Sequence, residues 1–522
     1  MKTPLSRENS ASISSDRAAP AAQVGRNIAA SYLARAVNLG AFLALTPILT
    51  RWLGLRRYGE WLVIASVLPC LALAGMGIDQ TLSNRIAQAA AAGRRDRING
   101  LISTAFVAYC ACAACAAWLL WMGTGVLARL VLPESPADLV RPLLIAGLLY
   151  CLALPCNAFA MALRGLERVD RERGAAAWSS FSGALGLGAA AIGGYGLSGL
   201  AVAQGLAAVG RGLVTARRAC ALNRMAIPRL RAFSARILRG LIRPSLGFLA
   251  LQIAGIIGFG IDNLVIGHAL GAEMVTRYAV PYLLIMGVEG VFATFQAALV
   301  PTIAAKHARR DHAGLRGAFF LSMRLGLLFA SAGAIVFLLA GPGLLRLWAG
   351  DGVYPGAAAY ALQVALFVIQ VMLETPHAIL VATTRHYGAA LIHWLDSALN
   401  LALSLWWVRR WGVAGVIAGT VAARGATSAW YLFVAAIGVL DIALARLARE
   451  MTRALALAGA AGMAALLLGA KLDAGATVAR ASLGCVLAAA LAAAFAAWAI
   501  SHDERRRLTG ELRRILRKPK YA

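Results

Sequence analysis

The sequence predicts an all-α, polytopic integral membrane protein with about 14 transmembrane helices, arranged as two pseudo-symmetric six-helix lobes plus two accessory C-terminal helices. Three observations lead to this prediction: the chain is strongly apolar, its apolar residues form long runs, and its second half repeats features of the first. The mean hydropathy is +0.71 and 60% of the 522 residues are hydrophobic. A water-soluble chain of this length is far less apolar.

The apolar runs are each about 18 residues or longer, which is enough to cross the ~30 Å hydrocarbon core of a bilayer as a helix. They cover roughly residues 27–50, 60–80, 100–123, 142–164, 175–194, 196–216, 244–267, 277–300, 318–340, 358–381, 388–408, 412–437, 454–471 and 480–500. Because the runs are continuous, and are not alternating segments of about ten residues, they predict helices and not a membrane β-barrel.

An internal repeat relates the two halves of the chain. Matching positions lie 216 or 217 residues apart in three pairs of segments: Gly54 in TRWLGLRRYG with Gly271 in GHALGAEMVTRYA, Ile86 in NRIAQAAAAGRRD with Ile303 in TIAAKHARRD, and Gly196 in GYGLSGLAVA with Gly412 in RWGVAGVIAG. Six spans precede the second copy, so both copies have the same orientation and an axis along the membrane normal should relate them. Duplicated apolar halves are typical of secondary transporters.

The runs and the repeat together predict the domain organisation. It comprises a disordered cytoplasmic tail (1–26), a first lobe of spans 1–6 (27–216), a basic cytoplasmic linker (217–243), a second lobe of spans 7–12 (244–437), accessory spans 13 and 14 (438–500) and a basic cytoplasmic tail (501–522). The loops between spans are short, and none is large enough to hold the active site of an enzyme. The sequence therefore predicts a protein that is not an enzyme.

The net charge of +28 is explained by the way the chain crosses the membrane, and it does not call for a nucleic-acid partner. With the amino terminus in the cytoplasm, 36 of the 51 basic residues fall in cytoplasmic segments and 11 in the outer ones, so both termini are predicted to be cytoplasmic. The basic segments suit anionic membrane lipid.

The first 24 residues lack the apolar core of a signal peptide. Cys112 and Cys115 form a C-x-x-C inside an apolar helix, where helix packing is favoured over metal binding, and no metal or cofactor is predicted.

Acidic residues inside the predicted spans are candidates for ion coupling, because a charge at mid-bilayer costs about 2.5–3.5 kcal/mol on insertion scales. Four such acids, Asp262, Glu289, Glu374 and Asp396, all lie in the second lobe, whereas the first lobe has only Glu60 and Asp79, both at span ends. Two of the four, Glu374 and Asp396, share a helix face with a histidine that could relay a proton. The predicted ion-coupling residues are Asp262, Glu289, Glu374, His377, His393 and Asp396. The alternative is that the acids pair with Arg424 and only hold helices together.

Polar side chains also form stripes along several spans, and these predict a water-accessible cavity between the helices. The predicted substrate-binding residues are Arg35, Asn38, Gln252, Asn263, Gln296, Arg324, Gln370, Asn400 and Arg424. The alternative is that such residues pair from helix to helix. Arg324 and Arg424 are equally compatible with cavity lining and with structural pairing, and Arg211 is expected to extend to the membrane surface.

Several of these segments resemble the polysaccharide transporters, or O-antigen-type lipid-linked oligosaccharide flippases, of the multidrug/oligosaccharidyl-lipid/polysaccharide exporter superfamily. The resemblance lies in the Arg51–Trp–Leu–Gly54 turn with Tyr58–Gly59, the basic elbow after the second span, the Gly196-x-x-Gly199 turn and the elbow after Pro301. It implies two lobes that form a V around a central cavity. It further implies that the protein moves an undecaprenyl-diphosphate-linked oligosaccharide across the bacterial inner membrane from the cytoplasmic to the periplasmic leaflet. Arg35 matches by position the arginine that such flippases carry in the first span.

Other functions fit the sequence less well. A multidrug exporter of the same superfamily would favour an acidic cavity for cationic drugs, which the intramembrane arginines oppose. A polymerase or glycosyltransferase of the pathway needs a large outer loop, and the chain has none. A non-transporting scaffold is the remaining alternative. The chain has no G-x-x-x-x-G-K-[ST] motif, so an ion gradient is the expected energy source. The expected partners are the lipid-linked substrate, membrane lipid and proteins of polysaccharide assembly such as a polymerase.

Overall fold

The computed structural model describes residues 20–222, 228–383, 386–472 and 477–499, and it contains no β-strand within them. The disordered and basic tails predicted at the two ends lie almost wholly outside these residues. The first lobe consists of α1 (Pro20–Leu71), α2 (Ile78–Ala91), α3 (Arg95–Val131), α4 (Pro136–Ala153), α5 (Asn157–Gly165), α6 (Val169–Ile192) and α7 (Gly196–Leu222).

The second lobe and the accessory helices follow in chain order. The second lobe consists of α8 (Ala235–Leu270), α9 (Ala272–Ala308), α10 (His312–Ala349), α11 (Ala357–Ala382), α12 (His386–Arg424) and α13 (Trp430–Leu440). The accessory helices are α14 (Leu444–Gly469) and α15 (Thr477–Ala494).

Among the described residues, eleven helical stretches are long and apolar enough to cross a membrane. Two of them contain a residue with non-helical backbone near the middle, Gly54 in α1 and Gly412 in α12, so each of these stretches turns and crosses twice. The 36-residue helix α8 is about 54 Å long at 1.5 Å per residue, which is ample for a further crossing. The prediction of an all-α membrane protein with about 14 spans is confirmed.

The backbone at the repeated glycines shows the pseudo-symmetry of the two lobes directly. Gly54 has φ 75° and ψ 167°, and Gly271 has φ 86° and ψ 171°. Gly196 and Gly412 have φ of 58° and 57°. Residues with a Cβ rarely adopt these positive φ values, so the turn after the first span of each lobe and the turn before its last span both require glycine.

The two lobes share one hydrophobic core at the end of the bundle where the Gly54 and Gly271 turns lie, which we call the Gly54 end. Fully buried residues of this core come from both lobes, among them Val63 and Ile64 from the first and Val275 and Val280 from the second. Toward the opposite end, which carries the basic elbows and which we call the basic end, the apolar residues separate into different clusters. The lobes also touch toward the basic end through α8, whose Leu241 belongs to the first lobe's cluster and whose Ser245 hydroxyl donates a hydrogen bond of 3.0 Å to Thr81.

Close backbone contacts seal the Gly54 end. Gly59 lies directly against the backbone carbonyl of Ala272 in the other lobe, where a Cβ would have no room. The hydroxyl of Thr276 donates a hydrogen bond of 2.7 Å to the Leu55 carbonyl. These contacts join the start of α9 to the Gly54 turn of α1.

The accessory helices pack against α10 of the second lobe. The guanidinium of Arg324 in α10 forms an ion pair of 2.6 Å with Glu450 in α14. Leu339 of α10 lies against Gly469 and Gly484, where the missing side chains allow close approach. The accessory pair therefore extends the second lobe on the side away from the first.

Candidate functional site

A cavity of about 780 Å³ lies in the first lobe and reaches the second lobe at α8. Its walls come from α1, α4, α5, α6, α7 and α8. Two of the predicted substrate-binding residues, Asn38 and Gln252, line it. Gln204, Ser179 and Ser180 add further groups that donate and accept hydrogen bonds. The cavity thus offers an amide- and hydroxyl-rich wall to a ligand.

The charged residues of this cavity are mostly basic. Three arginines and one glutamate line it: Arg164, Arg173 and Arg211 against Glu172. Glu172 accepts from Arg164 at 3.1 Å and lies 3.8 Å from the Nε of Arg173. Arg211 makes no ion pair within the part of the chain that the structure describes. The cavity therefore carries an excess of positive charge, and the Arg211 guanidinium is available to an anionic ligand.

A smaller pocket of about 200 Å³ adjoins this cavity toward the basic end. It shares Arg164, Glu172 and Arg211 with the larger cavity and adds Asp79. The carboxylate of Asp79 accepts a hydrogen bond from the hydroxyl of Tyr109. Asp79 lies in the same pocket as Arg164 and Arg211, and the positive charges of both act on its carboxylate.

These arginines are not among the site residues that the sequence predicts. Arg164 and Arg173 belong to the basic segment between the fourth and fifth spans, which was interpreted only as a topology marker. Arg211 was expected to extend to the membrane surface, whereas it lines both pockets. The only sequence feature that could have indicated the site is this concentration of arginines at the ends of three neighbouring spans.

The predicted ion-coupling residues come together in the second lobe, in three connected groups. The first surrounds Asp262 of α8. Its carboxylate accepts hydrogen bonds from Tyr278 at 3.0 Å and from Thr420 at 3.2 Å, and it lies 3.4 Å from the amide of Asn400. Thr420 also lies 2.9 Å from the side-chain oxygen of Asn400. Asp262, Asn400 and Thr420 bring several oxygens to one buried point, and hard cations prefer such ligands.

The second group surrounds Asp396 of α12. It forms an ion pair of 3.4 Å with Arg424 and accepts a hydrogen bond of 3.1 Å from Ser428. Arg424 also donates to the side-chain oxygen of Gln370. Arg424 therefore pairs with residues of its own lobe. Structural pairing was one of the two alternatives predicted for this residue, and cavity lining was the other.

The two histidines bridge α11 and α12 beside this group. The rings of His377 and His393 are 5.9 Å apart between centroids and nearly perpendicular. Asp396 lies one helical turn from His393, as its spacing predicted. Among the described residues, no cluster of three or more His, Cys, Asp or Glu side chains is suited to hold a metal ion.

The third group consists of Glu289 in α9 and Glu374 in α11. Their carboxyl groups lie within hydrogen-bonding reach of each other, and the positive charge of Arg35 acts on both. Arg35 reaches this group from the first lobe, where its guanidinium fills the space beside Gly290. Arg35 therefore lies at the boundary between the lobes.

Three of the predicted substrate-binding residues lie outside the large cavity. Arg324 faces Glu450 of the accessory helix α14. Gln296 lies between Thr375 and Ser322, with the Ser322 hydroxyl 2.8 Å from its side-chain oxygen. Asn263 donates a hydrogen bond of 2.8 Å to Ser66 across the lobe boundary. All three side chains pair from helix to helix, and none of them lines the large cavity.

Residues 24–307, more than half of the chain, match the model of a family described as polysaccharide biosynthesis protein. No curated protein sequence matches the chain.

Solved structures show the same fold at low sequence identity. The lipid II flippase MurJ in an inward closed conformation superposes with a TM-score of 0.69 at 10% identity, over 89% of this chain and 97% of that one. An inward-facing multidrug resistance MATE family transporter of the MOP superfamily gives 0.64 at 16% identity, over 78% and 94%. A MOP superfamily transporter from Pyrococcus furiosus Vc1 (DSM3638), described as having a binding pocket of reverse polarity, gives 0.53 at 16%, over 81% and 95%.

Proposed function

Because the chain belongs to the polysaccharide biosynthesis protein family and has the fold of MOP superfamily transporters, we propose that it flips an undecaprenyl-diphosphate-linked oligosaccharide across the membrane. The direction is from the cytoplasmic to the periplasmic leaflet of the bacterial inner membrane, by alternating access between the two lobes. The observation that carries this proposal is the basic, amide-lined cavity of the first lobe.

The cavity matches the head group of such a substrate in charge and in size. A diphosphate is anionic, and arginine guanidinium groups bind phosphate oxygens through two parallel hydrogen bonds. The amide and hydroxyl groups of Asn38, Gln204 and Gln252 suit the hydroxyls of a sugar. A volume of about 780 Å³ lies within the ~300–1,000 Å³ of small-molecule sites, so it suits a short glycan whose isoprenyl tail stays in the bilayer.

The alternative function, export of drugs, is not favoured by the cavity. A cationic drug would meet three arginines and a single glutamate there. Its transfer would require desolvation of the drug beside a net positive charge, which is unfavourable in a medium of low dielectric constant.

Energy for transport comes from an ion gradient, through the buried polar groups of the second lobe. Asp262, Asp396 and the Glu289–Glu374 pair lie on different helices of this lobe but are joined by hydrogen bonds and by the charge of Arg424. A change in the charge of one group therefore changes the electrostatic energy of the others. Helices whose buried groups differ in charge favour different packing arrangements. Both termini lie in the cytoplasm, and the partners are membrane lipid and the polymerase and other assembly proteins that use the exported unit.

Replacement of Arg211 tests the proposed substrate site. Arg211→Ala removes hydrogen bonds to a charged phosphate, each worth about 1.5–3 kcal/mol, so affinity should fall about 10- to 100-fold. Arg211→Lys should recover part of it, because lysine keeps the charge without the planar fork. Arg217→Ala, an exposed arginine on the same helix, is the matched control.

The measurement is flipping of a fluorescent undecaprenyl-diphosphate glycan by purified protein in liposomes. It is paired with analysis of surface polysaccharide and accumulated lipid-linked intermediates in cells that carry each variant. Wild-type flipping by Arg211→Ala would contradict the substrate site. Efflux of an organic cation by the wild-type protein, with no flipping of the glycan lipid, would favour the multidrug exporter.

A further inference from the structure

A further pocket, of about 400 Å³, lies at the Gly54 end of the first lobe, and we call it the outer pocket. Its walls come from α1 near the Gly54 turn, from the first turns of α4 and from the segment that joins α6 to α7. Trp52, Arg57, Asp138 and Tyr195 line it. In the proposed topology this end of the bundle faces the periplasm, because the basic segments lie at the other end.

The outer pocket lies one helical turn beyond the large cavity along two helices that both share. On α4, Ala146 lines the cavity and Pro142 lines the outer pocket. On α6, Leu187 lines the cavity and Ala191 lines the outer pocket. Four helical residues span about 6 Å. A ligand that leaves the cavity toward the Gly54 end therefore reaches this pocket next.

Two aromatic rings of the outer pocket are exposed, Trp52 at 61% and Tyr195 at 72%. The Tyr195 side chain lies against two glycines: a Cβ at Gly193 would stand 2.6 Å from the tyrosine Cε2, and a Cβ at Gly199 would stand 2.3 Å from the tyrosine Cβ. Gly193 has a φ of −74°, which any residue adopts, so the backbone does not require glycine there. The missing side chain instead makes room for the Tyr195 ring.

This seat distinguishes Tyr195 from an ordinary interfacial aromatic residue. Tryptophan and tyrosine are common at membrane surfaces, where their rings need only reach the level of the head groups. Such a ring needs no fixed position. Tyr195 is held against Gly193 and Gly199 while most of its surface stays exposed, as expected for a ring that stacks on a ligand.

Polar groups lie beside the two rings. Arg57 and Asp138 form an ion pair of 2.9 Å, with about half of each side chain exposed. The same guanidinium nitrogen also donates to the buried Glu60 at 2.9 Å. Within the part of the chain that the structure describes, the other two guanidinium nitrogens of Arg57 and the second carboxylate oxygen of Asp138 make no hydrogen bond. The outer pocket thus offers donors and an acceptor next to each other.

This combination suits a sugar better than it suits a lipid. A sugar hydroxyl both donates and accepts, so it can bind Asp138 and Arg57 together. The C–H face of a sugar ring carries a partial positive charge, and the face of an aromatic ring is negative. An acyl chain would leave the polar groups without partners. A lipid phosphate would lie beside the Asp138 carboxylate, which repels it.

From this arrangement we propose that the outer pocket is a glycan-binding site on the exit side of the transporter. Trp52 and Tyr195 stack on sugar rings, and Arg57 and Asp138 bind sugar hydroxyls. The proposal rests on the proposed function, since it requires a glycan that is delivered to the periplasmic side. No covalent bond forms or breaks. Binding there favours the state in which the sugar has left the cavity, while the isoprenyl chain stays in the outer leaflet.

The test uses the sugar of the natural substrate. Cells that lack this protein should accumulate the lipid-linked intermediate, and mild acid releases its oligosaccharide from the diphosphate. Binding of this soluble oligosaccharide to the purified full-length protein in lipid nanodiscs is measured by saturation-transfer NMR, with empty nanodiscs as the background. A titration gives the dissociation constant, and the wild-type protein should show saturable binding.

Four variants locate the bound sugar. Trp52→Leu and Tyr195→Leu should each raise the dissociation constant about 2- to 10-fold, as expected for loss of one stacked ring. Gly193→Ala should raise it similarly, because the added methyl group displaces the Tyr195 ring although every aromatic residue is kept. Trp411→Leu is the matched control: Trp411 is exposed and precedes Gly412 as Tyr195 precedes Gly196. It should bind the sugar as the wild-type protein does. A role in membrane anchoring alone would make Tyr195→Leu and Trp411→Leu behave alike and Gly193→Ala behave as wild type.

The outcomes distinguish this site from the proposed function. If the intermediate accumulates but its oligosaccharide does not bind the wild-type protein, the outer site is overturned and the flippase proposal stands. Loss of binding in Arg211→Ala with wild-type affinity in Trp52→Leu would place the sugar in the large cavity and also overturn the outer site. A phospholipid that copurifies with the wild-type protein but not with Trp52→Leu, in the absence of sugar binding, would assign the pocket to a lipid head group. If no lipid-linked intermediate accumulates, the proposed function is contradicted, and the outer site with it.

Discussion

The seal between the lobes at the Gly54 end should be sensitive to a single methyl group at Gly59. The position of a Cβ on this residue coincides with the backbone carbonyl of Ala272 in the other lobe, and it would lie 3.0 Å from the Thr276 hydroxyl. A backbone carbonyl inside a helix cannot rotate away as a flexible side chain does. The lobes must therefore separate at this point in Gly59→Ala.

The magnitude follows from the cost of overpacking a well-packed contact, about 1–3 kcal/mol. Because the clash exists only while the lobes are in contact, this cost falls on the sealed state alone. The ratio of sealed to open molecules should then decrease about 5- to 150-fold. A transporter that must return to the sealed state in every cycle should lose most of its activity.

Thiol labelling measures this change. Val275 is fully buried in the shared core, so a thiol introduced by Val275→Cys in a cysteine-free background should react slowly with a membrane-impermeant maleimide. Adding Gly59→Ala should raise the labelling rate at least about fivefold. Gly40→Ala is the matched control, because it lies on the same helix α1 with no atom within 4 Å of its Cβ position. Equal labelling rates in the two variants, at equal protein levels, would refute the reasoning.

Three further predictions address topology, the accessory helices and coupling. Phosphatase fusions after residue 230 and at the carboxyl terminus should be inactive, and strong activity at either point would contradict the cytoplasmic placement of the linker and tail. Arg324→Ala should lower the thermal unfolding midpoint by about 2 °C without loss of flipping, since a half-exposed ion pair contributes about 1 kcal/mol or less. The double exchange Arg324→Glu with Glu450→Arg should restore the midpoint, whereas loss of flipping in both variants would return Arg324 to the substrate site. Glu374→Gln combined with Asp396→Asn should make flipping independent of an imposed ion gradient, and export at the wild-type rate with unchanged ionophore sensitivity would place coupling elsewhere.

The architecture was predictable from the sequence because it rests on local properties. The length and continuity of an apolar run determine whether it spans a bilayer as a helix, and neither depends on distant residues. The repeat could be located from its glycines because Gly54 and Gly271 adopt a positive φ that side chains disfavour. The gathering of Asp262 and Asp396 in one lobe also followed from their positions in the chain.

Tertiary structure decided which polar residues face the cavity. Helical phase places residues on a common face of one helix, but it does not say which neighbouring helix that face meets. Arg324 and Arg211 show the difference: the former pairs with Glu450 on an accessory helix, while the latter lines the cavity. No local pattern distinguishes them, since both are single arginines near the end of an apolar span.

The approach of Arg35 to the Glu289–Glu374 pair depends on packing in the same way. It requires α1 of one lobe to lie against α9 of the other, with Gly290 at the point of contact. The sequence by itself determined that Arg35 lies in a span of the first lobe and that the two glutamates lie in spans of the second. Only the packing of the two lobes brings their charges together, because the positions of whole helices, and not the local chain, set the distance between them.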